Sequence, residues 1–529
     1  MKQELSPLDR NLMGRFTIGD ALVRTARRYP ERTAFVFRDA QLTFRELNER
    51  ASRFANAMAG LGVSKGDRVA LISHNCLQYL ICLFGLSKMG VVFTPLNFML
   101  KAEEIRFIIN HSETKVFIVE DSLVDEVKPI VGEMPSVKHY SYIKLTGKPA
   151  PDKWLDIDEL YSEKYPETEP EVEIDQNDPF ALMYTSGTEA APKGVLLSHL
   201  NYYSAIMSLT YDFEMGKHDT VSLMAIPAYH VAGMDSMLSS VINGNKTIMM
   251  YAPDLLGMLE IIQKERVSGI ALPPTVWGGL LQWPDIKKYD FSSLEGCISF
   301  GGFTPQPVME QWAKLAPNVK FRNYYGLTEI TSLGTTLQPE DVMRKTESIG
   351  KPCTNVALRI VDDEDKDVKV GEVGEIVARS PGVMLGYYEE EEKTREAFRS
   401  GWLHTGDLAR MDEEGYFYFV DRKKDMVKSG AENVSSQEVE GVLYRHPKLA
   451  EAAVIGLPHP YWMEAVTAVV VPKKGVEVTE EEIIQHCKSQ LAGYKVPKKV
   501  LFLDELPKNP SGKILKRELR EEHKESYKE

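Results

Sequence analysis

Cysteine is scarce: five residues in 529, at Cys76, Cys82, Cys297, Cys353 and Cys487, with no CxxC spacing. The odd number and irregular spacing argue against a disulfide framework and a zinc site, and point to reduced thiols packed as small apolar side chains. A basic excess is missing too. The net charge is -14 and the pI about 5.5, so the electrostatic footprint of nucleic-acid binding is absent and an anionic ligand needs a local site. No apolar run is long and unbroken enough for a membrane span. The most apolar early stretch, YLICLFGLSKMGVVFTPL (79–96), is interrupted by Lys88 and two glycines; it predicts a buried helix followed by a strand. The opening MKQELSPLDRNLMGRF has no apolar h-region, so a cytoplasmic protein is expected. Internal repeats and low-complexity segments are absent as well.

What is present is ordinary soluble-protein composition, 43% hydrophobic and 26% charged, over a length that calls for at least two domains. Helical and strand patterns alternate through the first few hundred residues. Thr43-x-x-Glu46 is a capping box for a helix reaching about Leu61. RVALIS (68–73), VVFTPL (91–96) and KVFIVE (115–120) read as buried strands, which argues for parallel α/β sheets. From about residue 424 the elements become short and lysines frequent. VSSQEVEGVLYRH (434–446) predicts a helix, AAVIGL (452–457) and AVTAVVV (465–471) a strand pair, and Thr479-x-x-Glu482 a second cap. The expected boundaries are 1–423 for a large domain and 424–529 for a small α+β one.

Five stretches carry chemistry. YTSGTEAAPKG (184–194) is rich in small residues and hydroxyls. It is not a Walker A loop, which would need Gly at 192 and Ser or Thr at 194, where Pro192 and Gly194 stand. The hydroxyls of Thr185, Ser186 and Thr188, the backbone near Gly187 and the Lys193 charge nonetheless suit phosphate; a plain strand-to-helix turn is the alternative. In FRNYYGLTE (321–329) Gly326 permits a tight turn beside Tyr324 and Tyr325. Tyr325 can pack on a purine, Thr328 can donate to phosphate, and the Glu329 carboxylate suits Mg2+; a core tyrosine and an exposed acid are the alternative. Asp407 in GWLHTGD (401–407) can accept from both hydroxyls of a ribose, or be a turn aspartate. VDRKKDMVKSGAENV (420–434) lies where the texture changes. LPKNPSGKILKREL (506–519) places Lys513 on a turn near the chain end.

In this order, together with GGFTP (301–305), GEVGEI (371–376) and GVMLGYY (382–388), these stretches resemble the adenylate-forming superfamily: acyl-CoA synthetases, luciferases and peptide-synthetase adenylation domains. The resemblance runs from about residue 15 to residue 520. It implies an α/β fold, with a large N-terminal domain of doubly wound sheets plus a distorted barrel and a small mobile α+β C-terminal domain. It also implies an acyl adenylate made from a carboxylic acid and ATP with Mg2+, then transfer to coenzyme A. By position, Thr185, Ser186, Gly187, Thr188 and Lys193 hold the β- and γ-phosphates. Gly301 and Gly302 border adenine, and Tyr325, with Tyr324 and Gly326 beside it, packs against it. Thr328 contacts phosphate, and Glu329 helps hold Mg2+. Asp407 takes the ribose with Arg422 assisting, and Lys513 reaches the carboxylate and α-phosphate. Lys424 matches a hinge between the half-reactions, after which Lys428 to Gly430 serve the pantetheine arm. One departure stands out: Glu189-Ala190 replaces the usual hydroxyl and glycine. The carboxylate is expected to turn away from triphosphate, toward Lys193 or a helix amide.

The acyl pocket is expected at PAYHVAG (227–233), with His230 as gate and Val231, Gly233 and Gly302 as walls; a satisfied core histidine is the alternative for His230. The FDxS-like stretch of amino-acid-activating members is absent and no carrier domain follows Lys513, which argues against a peptide-synthetase module. An apolar acid is expected, a medium- or long-chain fatty acid first and an aryl or arylalkanoic acid second. An acyl-AMP ligase without CoA, a luciferase-like oxidase and a non-catalytic nucleotide-binding regulator are weaker alternatives. No nucleic-acid partner is expected, and the protein is expected as a monomer or homodimer.

Overall fold

The computed structural model describes residues 5–185, 192–217, 219–302, 304–429, 432–508 and 514–527. Contact density divides the chain into two units: residues 1–185, 192–358 and 378–403 form the first, and 186–191, 359–377 and 404–529 the second.

The first unit is built on two parallel-rich sheets. The Thr43 hydroxyl accepts from the Glu46 amide at 3.1 Å and the Glu46 carboxylate accepts from the Thr43 amide at 2.8 Å, so the capping box starts helix Phe44–Gly60. The apolar run at 79–96 forms helix Leu77–Lys88, buried at every position but Gln78, and then strand Val92–Leu96. Lys88 can be buried because its ammonium donates to Asn48 Oδ1 at 2.8 Å and Ser52 Oγ at 3.0 Å and pairs with Glu169.

One sheet has eight strands, with Arg68–Ile72 at its centre between Val92–Leu96 and Val116–Glu120, all parallel. The other has nine, and Lys320–Tyr325, Gly296–Phe300, Gly269–Leu272, Val221–Met224, Lys246–Met249 and Thr33–Phe37 run parallel in that spatial order. Residues of helices Ile18–Arg28, Phe44–Gly60, Leu77–Lys88, His199–Asp212 and Val231–Asn243 join side chains of both sheets in one continuous core. All five cysteines are free and buried, as expected of small apolar side chains.

The second unit contains a five-stranded sheet over the core of Val427, Val439, Leu443, Val454, Val466 and Ile483. Helices Ser436–Tyr444 and Glu480–Lys488 form where capping serines and threonines predict them, with Ser435 and Thr479 accepting from amides three residues on. The expected short strand pair is longer than its apolar runs: Leu449–His459 pairs antiparallel with Met463–Pro472. Polar residues at the ends, such as Glu451 and Glu464, continue the ladder because backbone pairing does not require an apolar side chain.

Candidate active site

In parallel sheets the strand ends at the carboxyl side are where ligands are received, and the sequence motifs of the first unit fall there. YTSGTEAAPKG is the exception. Strand Pro179–Thr185 and strand Lys193–Ser198 pair antiparallel, with Thr185 opposite Lys193 and Tyr184 opposite Gly194. The stretch therefore joins two strands and no helix begins there, which removes the strand-to-helix alternative and any helix-dipole contribution. Thr185 and Lys193 stand at its two ends. Ser186, Gly187 and Thr188 lie outside the described residues, as do Glu189, Ala190, Gly430 and Lys513.

Strand Lys320–Tyr325 delivers the second motif. Tyr324 stacks on Phe300 with centroids 5.6 Å apart, and Tyr325 and Gly326 follow at the strand end. Glycine at 326 is required by a close approach: a Cβ there would lie 1.4 Å from the Ser332 carbonyl oxygen. The chain then turns through Thr328–Ile330 into two residues with left-handed backbone, Thr331 (φ 49) and Ser332 (φ 65), a conformation costly for non-glycine residues. Two side chains hold it there. Thr331 Oγ1 donates to the Gly382 carbonyl at 2.6 Å, and Ser332 Oγ donates to the buried Asp235 carboxyl. Burial pushes the Asp235 pKa up to about 8, the Ser332 bond opposing it only in part.

This strained turn aims Glu329. Its Oε1 accepts from the Tyr387 hydroxyl at 3.0 Å, and the Lys193 ammonium lies 5.3 Å from the centre of the same tyrosine ring. Lys193, Tyr387 and Glu329 thus form a row that sequence reading missed; GVMLGYY was visible as a motif, with no role for Tyr387. One carboxylate beside phosphate-binding groups fits Mg2+, which takes few protein oxygens and completes its shell with substrate phosphate and water. Consistent with that, no cluster of three or more His, Cys, Asp or Glu suited to a metal occurs among the described residues. Gly301 (φ +74) and Gly302 follow strand Gly296–Phe300 and are exposed.

His230 caps helix Val231–Asn243 and is exposed, which removes the core-histidine alternative. It nevertheless sits among enough protein that desolvation lowers its pKa. Val231 is buried in the core, and Gly233 is buried where a Cβ would stand 2.1 Å from the Pro227 carbonyl oxygen. Asn75, another residue the sequence reading missed, grips the loop that carries the histidine. Its side-chain amide donates to the Ile226 carbonyl at 3.0 Å and accepts from the Ala228 amide at 2.7 Å. Asn75 is 2% exposed and belongs to the turn after strand Arg68–Ile72, so one buried side chain ties the eight-stranded sheet to the loop of the nine-stranded one.

Beneath that loop lies a cavity with a water-accessible volume of about 70 Å³. Its floor is one face of the nine-stranded sheet, including Met224, Ala271, Ile298 and Gly296; Ser236 and Ser240 of helix Val231–Asn243 also border it. Lys217 pairs with Glu295 at 2.8 Å and Lys320 with Glu214 at 2.9 Å at its far end. His230, Val231, Gly233 and Gly302 are not among its lining residues, although Ile226 and Ile298 of the lining lie a few residues from them.

In the second unit, strands Trp402–Met411 and Phe417–Arg422 place Asp407 opposite Arg422, and Arg422 Nε lies 3.2 Å from Asp407 Oδ1. Asp407 is 2% exposed and follows Gly406 (φ +71) within a strand. Lys424 is exposed in a turn flanked by fixed neighbours: Lys423 pairs with Asp363 and Glu375, and Asp425 with Arg520. Lys428 is exposed on strand Val427–Ser429, its amide donating to Glu464 at 2.7 Å.

Strand-end loops bearing hydroxyls, a lysine, a tyrosine-held carboxylate and glycines define a nucleotide-handling α/β enzyme. The family model described as AMP-binding enzyme matches residues 22–388, and that of the AMP-binding enzyme C-terminal domain matches residues 438–513. The long-chain-fatty-acid–CoA ligase FadD13 of Mycobacterium tuberculosis is 35% identical over 491 residues, covering 92% of this chain and 94% of the relative. A feruloyl-CoA synthase of Amycolatopsis is 35% identical over 504 residues, covering 95% and 98%. Among solved structures, the O-succinylbenzoate coenzyme A synthetase MenE of Bacillus subtilis, in complex with ATP and magnesium ion, aligns with TM-score 0.83 at 31% identity, covering 95% and 99%. The chain belongs to the adenylate-forming acyl-CoA synthetase family and is an acid–thiol ligase with acyl-CoA ligase activity. The family uses ATP and CoA. No helix among the described residues is long and apolar enough to cross a membrane.

Proposed function

We propose that this chain activates a medium- or long-chain fatty acid, joining it to AMP with release of pyrophosphate and then to coenzyme A. The observation that carries this reading is the cavity running along the sheet under the helix that begins at His230. Burial of a methylene contributes about 0.8 kcal/mol. Ser222 Oγ, on the cavity wall, has no hydrogen-bond partner among the described residues, and one unmatched hydroxyl costs about 1–3 kcal/mol. Several buried methylenes outweigh it. An aryl acid is the second reading: Ser222 offers such a substrate a polar contact, and a feruloyl-CoA synthase is among the relatives.

The chemistry asks the protein to offset phosphate charge and to orient a weak nucleophile. Thr185, Ser186, Gly187, Thr188 and Lys193 hold the β- and γ-phosphates. Tyr324, Tyr325, Gly326, Gly301 and Gly302 form the adenine seat, and Thr328 donates to phosphate. Asp407, fixed by Arg422, accepts from the ribose hydroxyls. Glu329, oriented by Tyr387, holds Mg2+, which neutralises triphosphate charge when bound. Lys513 positions the acid carboxylate against the α-phosphate; the carboxylate oxygen bonds to phosphorus as the bond to pyrophosphate breaks. The thiol of coenzyme A then forms a thioester at the acyl carbon as AMP leaves. Residues from 424 onward act as a movable lid, with Lys424 the pivot and Lys428 and Gly430 serving the second half-reaction.

Pyrophosphate release with ATP and Mg2+ tests the reading over octanoate, palmitate, cinnamate, benzoate and an amino acid, each with and without CoA. A CoA-dependent steady signal on the alkyl acids is expected; a signal confined to cinnamate and benzoate would replace the first reading with the second. Lys513→Ala should depress adenylation far more than thioester formation from supplied acyl adenylate. Equal loss in both half-reactions would remove the movable-lid assignment.

A further inference from the structure

Two glycines lie side by side in the floor of the cavity. Gly269 and Gly296 are register partners on neighbouring strands, continuous with Ser222 on one side and Lys320 on the other. Neither has a backbone reason to be glycine, since neither adopts positive φ. Neither is needed for close packing: a Cβ on Gly269 would meet nothing nearer than 3.6 Å and one on Gly296 nothing nearer than 3.9 Å. What a side chain at either place would occupy is the cavity, which both residues border.

We infer that the Gly269–Gly296 pair sets the length of acyl chain this enzyme takes, keeping the channel open to the amino ends of the strands. The inference rests on the proposed fatty-acid activation and specifies its substrate class. From Phe300, beside the adenine seat, back to Gly296 is four residues of extended strand, or about 13 Å. The roof has the same reach: from His230 to Ser240 is ten helical residues, or about 15 Å. An extended hydrocarbon advances roughly 1.3 Å per carbon for bonds of about 1.5 Å, so acids of about ten carbons or more reach the glycine pair. Shorter acids end at the row of Ala271 and Ile298.

Gly296→Val tests this, because valine suits a strand and its Cβ has room. Steady-state pyrophosphate release is measured for hexanoate, dodecanoate and palmitate in the full-length wild type and variant, with melting temperature alongside. The expected result is a loss in kcat/KM of about tenfold or more for dodecanoate and palmitate, the scale at which pockets discriminate methylenes. The hexanoate value, the KM for ATP and the melting temperature stay unchanged. Should Gly296→Val unfold, Gly269→Ala, with a smaller loss in the same direction, takes its place. An unchanged ratio of palmitate to hexanoate activity in a folded variant overturns the inference and leaves acid activation standing. Wild type active on cinnamate but on no alkyl acid also overturns it. Wild type silent with every acid overturns the parent reading and this one with it.

Discussion

The two large sheets of the first unit share parallel topology and differ in one face. In the eight-stranded sheet both faces are filled. Val69, Leu71, Val116 and Ile118 pack into the main core, and Ala70, Ile72, Phe117 and Val119 pack against Ile105, Ile108 and Ile109. In the nine-stranded sheet one face is equally filled, by Leu259, Ile262, Trp277 and Trp312 of the covering helices and by Phe321 of the sheet, with Trp277 and Trp312 edge to face at 5.2 Å. The other face carries Ser222, Gly269, Gly296 and Ala271 and stays open. The same fold thus yields a scaffold sheet and a receiving sheet, and a handful of small residues separates them. Close-packed interiors rarely hold such a space, so it marks where a ligand belongs.

That contrast is open to direct attack. Phe117→Ala, in the filled sheet, should lower stability by about 3–5 kcal/mol, read by chemical denaturation, while the ranking of acids by chain length stays as in wild type. A changed ranking would mean that the two sheets do not divide the work. Glu329→Gln, at the edge of the receiving sheet, should do the reverse. Pyrophosphate release should fall about 100-fold or more with no change in melting temperature.

A smaller effect is expected where the sheets are joined. Asn75→Ala removes both bonds to the His230 loop, and the acid should bind worse, with KM for acid raised about tenfold, the scale of one lost buried hydrogen-bonding group. KM for ATP should stay level, and Asn75→Ser should recover part of the loss. If KM for both substrates rose together, the clamp would be general scaffolding.

The smallest effect concerns Asp235. Its folded pKa is raised to about 8 against an unfolded value of about 3.9. The folded carboxyl therefore keeps its proton while the unfolded one loses it, and stability falls as pH rises through that window. Asp235→Asn removes the penalty. Denaturation at pH 4 should show no gain, and at pH 8 a gain of at least about 1 kcal/mol, or roughly 2–4 °C. A gain at pH 4 as large as at pH 8 would mean that ionisation is not the cause.

Much of this protein was legible in one dimension. Local rules placed the capped helices after Thr43, Ser435 and Thr479, because caps are satisfied within four residues. The apolar runs at 68–73 and 115–120 announced buried strands, since a strand covered on both faces has no polar side. The order of motifs implied the family that the comparisons then bore out, and with it the acid–thiol chemistry. Tertiary structure decided what depends on distant residues meeting. It made YTSGTEAAPKG a connection between two strands, placed Tyr387 beside Glu329 from 58 residues away, and brought Asn75 to Ile226 across 151. It also opened a cavity over Gly269 and Gly296, two glycines that carry no turn signal. Periodicity and capping act over a few residues and can be read from the chain; packing, cavities and side-chain clamps exist only once the chain has brought far positions together.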